Sequence, residues 1–530
     1  MEMNKRFQVA IVGGGPVGLG LALDLGARGI TCVLIERRTR HHRIPRGQNL
    51  TQRTLEHFYF WGIVDQLRAA RVMPPGYPIG NVNAYRSLTS EYWHAHEGRE
   101  TVRRYFFQDN ERLPQYQTED VLRSKLATIP AAEQRFGWTA GKLEQDDKSV
   151  RLEIADENGA TETIEADYLV GCDGAHSTIR AQVGIERGGT DFDQVMMLAV
   201  FRSPELHERL KRFPERSTYR VMDPALNGYW QFFGRIDVGN GFFFHSPVPA
   251  EAAQKKDFDF QGVLEKATGF KFKAEFDHMG FWDLRVAVAD KYQVGRVLIA
   301  GDAAHSHPPY GGFGLNNGLE DARNLGWKLW GALQGWGGAG LVPSYSEERR
   351  PVFKETGEDF IASRIEAEGK FLHTYDPAVD REAFEAAWKQ KEREDGLMAS
   401  RYEPNFEGSS IIFGPPGGKC SAHGAHMLKA RPGHHLTPQP LSNGRDVYEE
   451  LCDGFTLLAF DVDDKTVADF ETAAKTLGIP FKAIRDTYAN GRQEYESKLV
   501  LVRPDQYVVW TADAAPANAE AVLRKVVGKS

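Results

Sequence analysis

Gly13-Gly14-Gly15-Pro16-Val17-Gly18 sets three glycines at the spacing G-x-G-x-x-G, between the apolar run 8–12 (QVAIV) and a helix-forming stretch from Leu19 to Ala27. Gly13 permits a tight turn, Gly15 lets the backbone approach a diphosphate, and Gly18 lets helix and strand pack closely. The N–H groups and dipole of the helix N-terminus would then meet the phosphate charge. Glu36 follows the next apolar run, Cys32 to Ile35, and lies 18 residues after Gly18, where a carboxylate can hold ribose hydroxyls. This predicts a βαβ dinucleotide cradle and leaves FAD and NAD both open.

Two further segments carry chemistry-bearing residues. Asp167 to Gly171 runs as a strand into Asp173-Gly174-Ala175-His176-Ser177-Thr178-Ile179-Arg180, a D-G-x-x-S-x-x-R turn. Gly295 to Ala300 does the same into Gly301-Asp302-Ala303-Ala304-His305, followed by Pro308-Pro309-Tyr310-Gly311-Gly312-Phe313-Gly314-Leu315-Asn316. Glycines at 311, 312 and 314 would let backbone approach a ring without side-chain collision. The helix starting there would place positive potential beside the negative N1/C2 side of a reduced flavin. The pairs His94/His96 and His305/His307 lack H-E-x-x-H or cysteine ligands, so no metal site is expected. His305 reads as a local hydrogen-bonder, and His41, His42, His434 and His435 as solvated loop residues.

The elements that must position these residues can be read from periodicity. Runs such as MMLAVF, GYWQFFGRI and GFFFH between 190 and 285 alternate with turn residues and predict an antiparallel sheet. Leu315, Leu319, Ala322, Leu325, Leu329 and Leu333 recur at helical spacing. Residues 404–445, rich in Gly, Pro, Ser and His, read as a linker. Residues 446–530 read as a compact α/β module of strand, helix, strand and hairpin. The 530 residues allow about three domains. A net charge of −8, from 65 basic and 73 acidic residues, gives no electrostatic reason to bind nucleic acid or an anionic membrane. Cys32, Cys172, Cys420 and Cys452 form no C-x-x-C and read as free thiols in a reducing compartment. The run Val9 to Gly26 follows Lys5 and Arg6 as a signal peptide would, but Asp24 interrupts it and no A-x-A site follows. A cytoplasmic protein is expected.

Together the three ordered motifs resemble those of the class A flavoprotein aromatic hydroxylases, the family of para-hydroxybenzoate hydroxylase and phenol hydroxylase. The likeness covers about residues 7–350. GFTLLAF (454–460) and LVRPDQYVVW (501–510) resemble the thioredoxin-like extension of longer members, for which a stabilising or oligomerisation role, including a homodimer, is expected. The implied fold is α/β. A Rossmann-like FAD-binding domain (1–80, 112–190, 285–350) is interleaved with an antiparallel-sheet substrate domain (81–111, 191–284). A helical segment (351–403), the linker and the thioredoxin-like module (446–530) follow. The implied cofactor is FAD, with NADPH or NADH as transient electron donor and O2 as co-substrate. Gly13, Gly15, Gly18, Glu36 and Arg37 would hold the ADP half. Arg46, in IPRGQNLTQRTLEHF, would lie near the diphosphate and Gln115 against the cofactor. Asp173 would serve both FAD and NAD(P)H, Asp302 the ribityl chain, and the backbone of Gly314, Leu315 and Asn316 the flavin pyrimidine edge.

The implied reaction is hydroxylation of a phenolic or related aromatic ring through a flavin C4a-hydroperoxide, with no side chain acting as nucleophile or acid/base. A Baeyer–Villiger oxygenase or epoxidase on the same scaffold, or a non-catalytic flavin-bound interaction protein, are the alternatives. Strand alternation puts Tyr229, Gln231, Phe233 and Arg235 on one face, and Trp230 and Phe232 on the other, without saying which face meets a ligand. Gln231, Phe233, His245, Pro309 and Tyr310 are the expected pocket residues.

Overall fold

The computed structural model describes residues 5–255 and 257–529. Its first layer is the parallel sheet that the apolar runs predict. Lys5–Val12 lies between Cys32–Glu36 and Thr161–Gly171, with Ala132–Phe136 and Val297–Ile299 on the outer sides, all parallel. Val9, Ile11, Val33 and Leu34 have no exposed surface. A strand covered on both faces has no polar side to show, which is why these runs read as continuous apolar stretches. Helix Pro16–Ala27 packs through Leu19, Leu21 and Leu25 into the same core as Leu319, Ala322, Leu325 and Leu329 of the helix Phe313–Leu333.

The second layer is an eight-stranded sheet in the order His305–Ser306, Glu275–Ala289, Arg187–Arg202, Gly241–Pro249, Gln231–Arg235, Thr218–Met222, Asn81–Tyr85, Trp93–His96. All neighbours are antiparallel except Thr218–Met222 with Asn81–Tyr85. Its strands come from chain segments on either side of the DG motif, so the two layers are interleaved. One face buries Phe201, Phe233, Phe242 and Phe244 against the helices Pro204–Leu210 and Phe260–Thr268. The other carries Leu198, Val200, Phe232, Phe243 and Trp282, and Ile44 of the first layer packs against it.

The C-terminal sheet runs Phe481–Asp486, Phe455–Phe460, Leu499–Val502, Val508–Ala512. The first pair is parallel across the helix Asp464–Leu477 and the others are antiparallel, a thioredoxin-like order. The segment 404–445 differs from the tether its composition suggests. Tyr402–Phe406 pairs with Cys420–His423, and Phe406, Ile411, Ile412 and Leu436 are buried. His434 and His435, expected in solvent, are held between carboxylates: His434 against Glu403 (3.0 Å) and Glu407 (2.9 Å), His435 against Glu56 (2.7 Å). Small and polar residues here serve close packing against other elements, a use that composition does not distinguish from a loop.

The helix Phe313–Leu333 also buries Glu320, Asp321, Arg323 and Lys328. Lys328 donates to Glu348 (2.7 Å), and Arg503 of the C-terminal module donates to both Glu348 oxygens (2.8 and 3.0 Å). Arg323 bonds Asp24 (2.5 Å) and the carbonyl of Pro504 (2.7 Å), and Arg53 reaches the carbonyl of Asp505 (2.5 Å). Burial works against the charge on Glu348, but Arg503 and Lys328 overcome it and hold the carboxyl well below the usual range. Burial also pushes Lys328 down to about 8, against the pull of Glu348.

Arg503→Met would leave Glu348 buried with half its compensation. The expected loss is about 3 kcal/mol, since removing one partner strands the other charge, and it is measured as a lowered thermal unfolding midpoint. A second expectation concerns acid. Asp24, Asp321 and Glu348 all have lowered pKa values in the fold. Their stabilisation is complete above the unfolded carboxylate pKa, about 4, and is lost as pH falls below it toward their folded values. Circular dichroism melts should therefore drop steeply on that side, and the decline should begin as pH falls through about 6.5, because burial pushes His57, His96 and His307 down to about 4 and His245 down to about 3, so that each is held neutral where the unfolded chain takes up a proton.

Candidate cofactor and substrate site

The strand Lys5–Val12 delivers Gly13 with φ +112°, where a Cβ would lie 2.2 Å from the carbonyl oxygen of Cys172. At Gly18 a Cβ would strike the Gly13 carbonyl oxygen at 2.0 Å. At Gly15 the contrast is complete: a Cβ would meet nothing within 4 Å. Two of the glycines thus let protein meet protein, and the third faces open space at the start of the helix Pro16–Ala27. No side chain caps that helix. Glu36, half-buried, accepts from the Gly14 N–H (2.7 Å) and the Arg38 N–H (2.9 Å), which fixes its carboxylate beside the turn. Arg37 is exposed next to it.

The DG turn is organised around Asp173. Its carboxylate accepts from Ser177 Oγ (2.5 Å) and from the N–H groups of Thr178 (2.8 Å) and Ile179 (3.2 Å), at the start of the short helix Thr178–Gln182. Arg180 donates to the carbonyls of Ala303 (2.8 Å) and Ala175 (3.1 Å), tying this turn to the GD turn. Asp173 thus shapes the turn. In the GD turn, Asp321 accepts from the Gly301 N–H (3.0 Å), from Arg349 (2.7 Å) and bonds His305 (2.6 Å), which confirms His305 as a structural hydrogen-bonder. Asp302 is exposed yet hemmed in by protein. That crowding raises its pKa, against the pull of His305, Arg187 and Arg46. An exposed carboxyl in such surroundings lines a cleft.

At the far end of the cleft Gly311 (φ +74°) and Gly312 (φ +66°) turn the chain into the helix Phe313–Leu333, which no side chain caps. The Asn316 side chain is a brace: it donates to the carbonyls of Asn49 (2.8 Å) and Gly312 (2.7 Å) and accepts from the Thr51 N–H (2.9 Å) and Thr54 Oγ1 (2.6 Å). Gly47 fits so closely that a Cβ would lie 3.2 Å from Leu315 and 3.3 Å from Gln115 Oε1, which brings the PRG run, Leu315 and Gln115 together. Gln115 also donates to Glu119 (2.8 Å). Arg46 is exposed and its charge is felt at Asp302, Glu119 and His278, across the cleft. Gln48, which sequence reasoning missed, is buried with both amide atoms unpartnered. Its place two residues after Arg46 was the available signal.

The two faces of the substrate sheet differ in what covers them. Phe232, Phe243, His245, Leu198 and Trp282 lie on the side that Ile44 touches. Phe233 belongs to the opposite core, and Gln231, on the same side by alternation, pairs with Ser246 (3.4 Å). Both therefore leave the expected pocket, because the sheet's second face is occupied by its own helices. Tyr310 accepts from the Trp230 N–H (3.1 Å) and donates to the Trp230 carbonyl (3.3 Å), with ring centroids 4.5 Å apart. Pro309 beside it is half-buried. Phe243 and Trp282 share the face that Ile44 touches, as strand alternation places them once the helix-covered face is known. At the surface, Glu355, Asp359 and His423 bring three ligand-type atoms together, but His423 bonds Asp359 (2.8 Å) and Glu355 accepts from Ser421 and Ala422.

These residues fit FAD: open space at Gly15, two helix N-termini without a side-chain cap, a carboxyl at Asp302 and an orphaned amide at Gln48. Gly15 has φ −75° and ψ −179°, which alanine also adopts. Gly15→Ala should leave the unfolding midpoint of FAD-free protein unchanged and weaken FAD binding about tenfold or more, read by fluorescence titration. Asp302→Ala should lower the flavin retained on purification; undiminished flavin would contradict its place in the cleft.

Comparison with known proteins agrees with this geometry. A family model described as "FAD binding domain" matches residues 6–358, and one described as "Aromatic-ring hydroxylase, C-terminal" matches residues 429–530. The chain is 29% identical over 522 residues to the rifampicin monooxygenase of Streptomyces venezuelae, covering 96% of each. It is 28% identical over 552 residues to the 4-methyl-5-nitrocatechol 5-monooxygenase of a Burkholderia species, covering 97% of this chain and 96% of the relative. The solved structure of the rebeccamycin biosynthetic enzyme RebC with reduced flavin aligns with a TM-score of 0.84 at 28% identity, over 99% of this chain and all of the other. The chain belongs to the FAD-dependent aromatic-ring monooxygenases.

Proposed function

We propose that the protein hydroxylates a phenolic ring held between the aromatic face of the substrate sheet and the segment Pro309–Gly312. The observation that carries this is the wall of Phe232, Phe243 and Trp282, which confronts Ile44 and the arginine-bearing loop of the cofactor layer. Bound FAD, reduced by NAD(P)H, supplies an activated oxygen atom from O2. The chain's own part is positional. Phe232 and Trp282 are half-buried and offer flat apolar surfaces on which a ring can lie. The same surfaces keep water from the reacting atoms. The uncapped start of the helix Phe313–Leu333 would offer its positive end to the pyrimidine edge of bound flavin, where the reduced ring carries negative charge. Arg46 faces both Asp302 and His278 and so sits where the cofactor and substrate layers meet.

We place this activity in the cytoplasm. All four cysteines are free, and burial pushes the Cys32 thiol up to about 12, out of reach of ordinary oxidation. No helix among the described residues is long and apolar enough to cross a membrane.

The test is NAD(P)H oxidation by FAD-loaded protein against a panel of phenols and nitrophenols, with product mass. A gain of one oxygen on the ring is expected. Oxygen inserted beside a ketone, or peroxide alone with every compound, would overturn the reading. Phe232→Ala should open the wall and raise peroxide released per NAD(P)H roughly twofold or more, with flavin content unchanged.

A further inference from the structure

Five histidines are buried among the described residues: His57, His94, His245, His305 and His434. Four have a carboxylate partner. His57 meets Glu320 at 2.8 Å, His94 meets Asp395 at 3.3 Å, His305 meets Asp321 at 2.6 Å and His434 meets Glu403 at 3.0 Å. His245 is the exception, since neither of its ring nitrogens has a hydrogen-bond partner among the described residues. A buried polar group without a partner destabilises a fold and calls for an explanation.

The position of His245 supplies one. It stands on the cleft face of the sheet, opposite Leu198 on one neighbouring strand and Phe232 on the other. Its ring lies 5.1 Å from Phe232, 5.5 Å from Phe243 and 6.0 Å from Trp282, centroid to centroid. Beyond Leu198 the next strand places Gly280, where an added Cβ would approach only the His278 ring. The aromatic wall therefore has a hollow on one side and a single polar group behind it. Burial pushes the His245 pKa down to about 3, so the imidazole is neutral and keeps one nitrogen as an acceptor.

We propose that His245 recognises a hydroxyl of the aromatic substrate, accepting its O–H when the ring enters the cleft and turns Phe232 or Trp282 aside. This rests on the proposed hydroxylation of a phenolic ring, and it adds the group that selects hydroxylated rings over their ethers. A site built to bond a hydroxyl rejects an analogue that lacks it, because its own polar group is then left bare.

The test uses FAD-loaded protein and has two arms. In the first, His245→Leu removes the orphaned group and should raise the unfolding midpoint by about 1–2 °C. In the second, binding is followed by perturbation of the flavin spectrum, using the tightest phenol of the panel and its methyl ether. The wild-type protein should favour the phenol about tenfold, His245→Leu should abolish that preference, and His245→Gln should restore part of it. In turnover, KM for the phenol should rise more than kcat falls. A lower midpoint in His245→Leu, or a phenol-to-ether ratio unchanged by it, overturns the proposal. The first arm needs no ligand, so a panel in which nothing is hydroxylated counts against the proposed function alone.

Discussion

Glu348 has no exposed surface, yet it keeps its charge because Lys328 and Arg503 both reach it. The three residues come from a central helix, the helix after it, and the module at the end of the chain. Removing charges of this kind from water is costly, and only complete pairing offsets the cost. Around them Arg323, Asp24 and Arg53 extend the pairing to the cofactor layer, through the backbone carbonyls of Pro504 and Asp505. The thioredoxin-like module is therefore a structural counterpart of the cofactor layer. Its loop 503–506 meets Arg323 of the helix Phe313–Leu333 through the Pro504 carbonyl and Glu348 of the next helix through Arg503.

That arrangement explains how the site can be so spare. A flavin needs backbone close to its rings and phosphates, and backbone can come close only where side chains are missing and positions are fixed from behind. Asp321, Asn316 and Asp173 do the fixing: each is engaged with neighbouring turns, which leaves N–H groups and small residues toward the cleft. Rigidity is thus supplied by polar residues that hold the turns from behind, and access by glycine.

Much of this could be read from the sequence. The βαβ start, the two glycine turns and the long helix each follow from a local rule, either apolar period or glycine placement, and local rules survive folding. The parts that were not legible depend on what lies opposite. Alternation separated Phe232 from Phe233, but only the helices 204–210 and 260–268 decide that Phe233 is covered. Residues 404–445 have the composition of a loop, and their burial comes from partners as distant as Glu56. Gln48 left no periodic trace, being one polar residue in a polar run.

Arg503 also carries a consequence for how the protein is made. Synthesis runs from the N-terminus, and domains ordinarily fold as they emerge. Here Asp24, Lys328 and Glu348 are finished about 150 residues or more, and many seconds, before the strand Leu499–Val502 leaves the ribosome. Until Arg503 arrives, the buried carboxylate of Glu348 lacks one of its two cationic partners among the described residues. The C-terminal module therefore cannot be exchanged as a free-standing cassette between relatives without bringing its own matching charges.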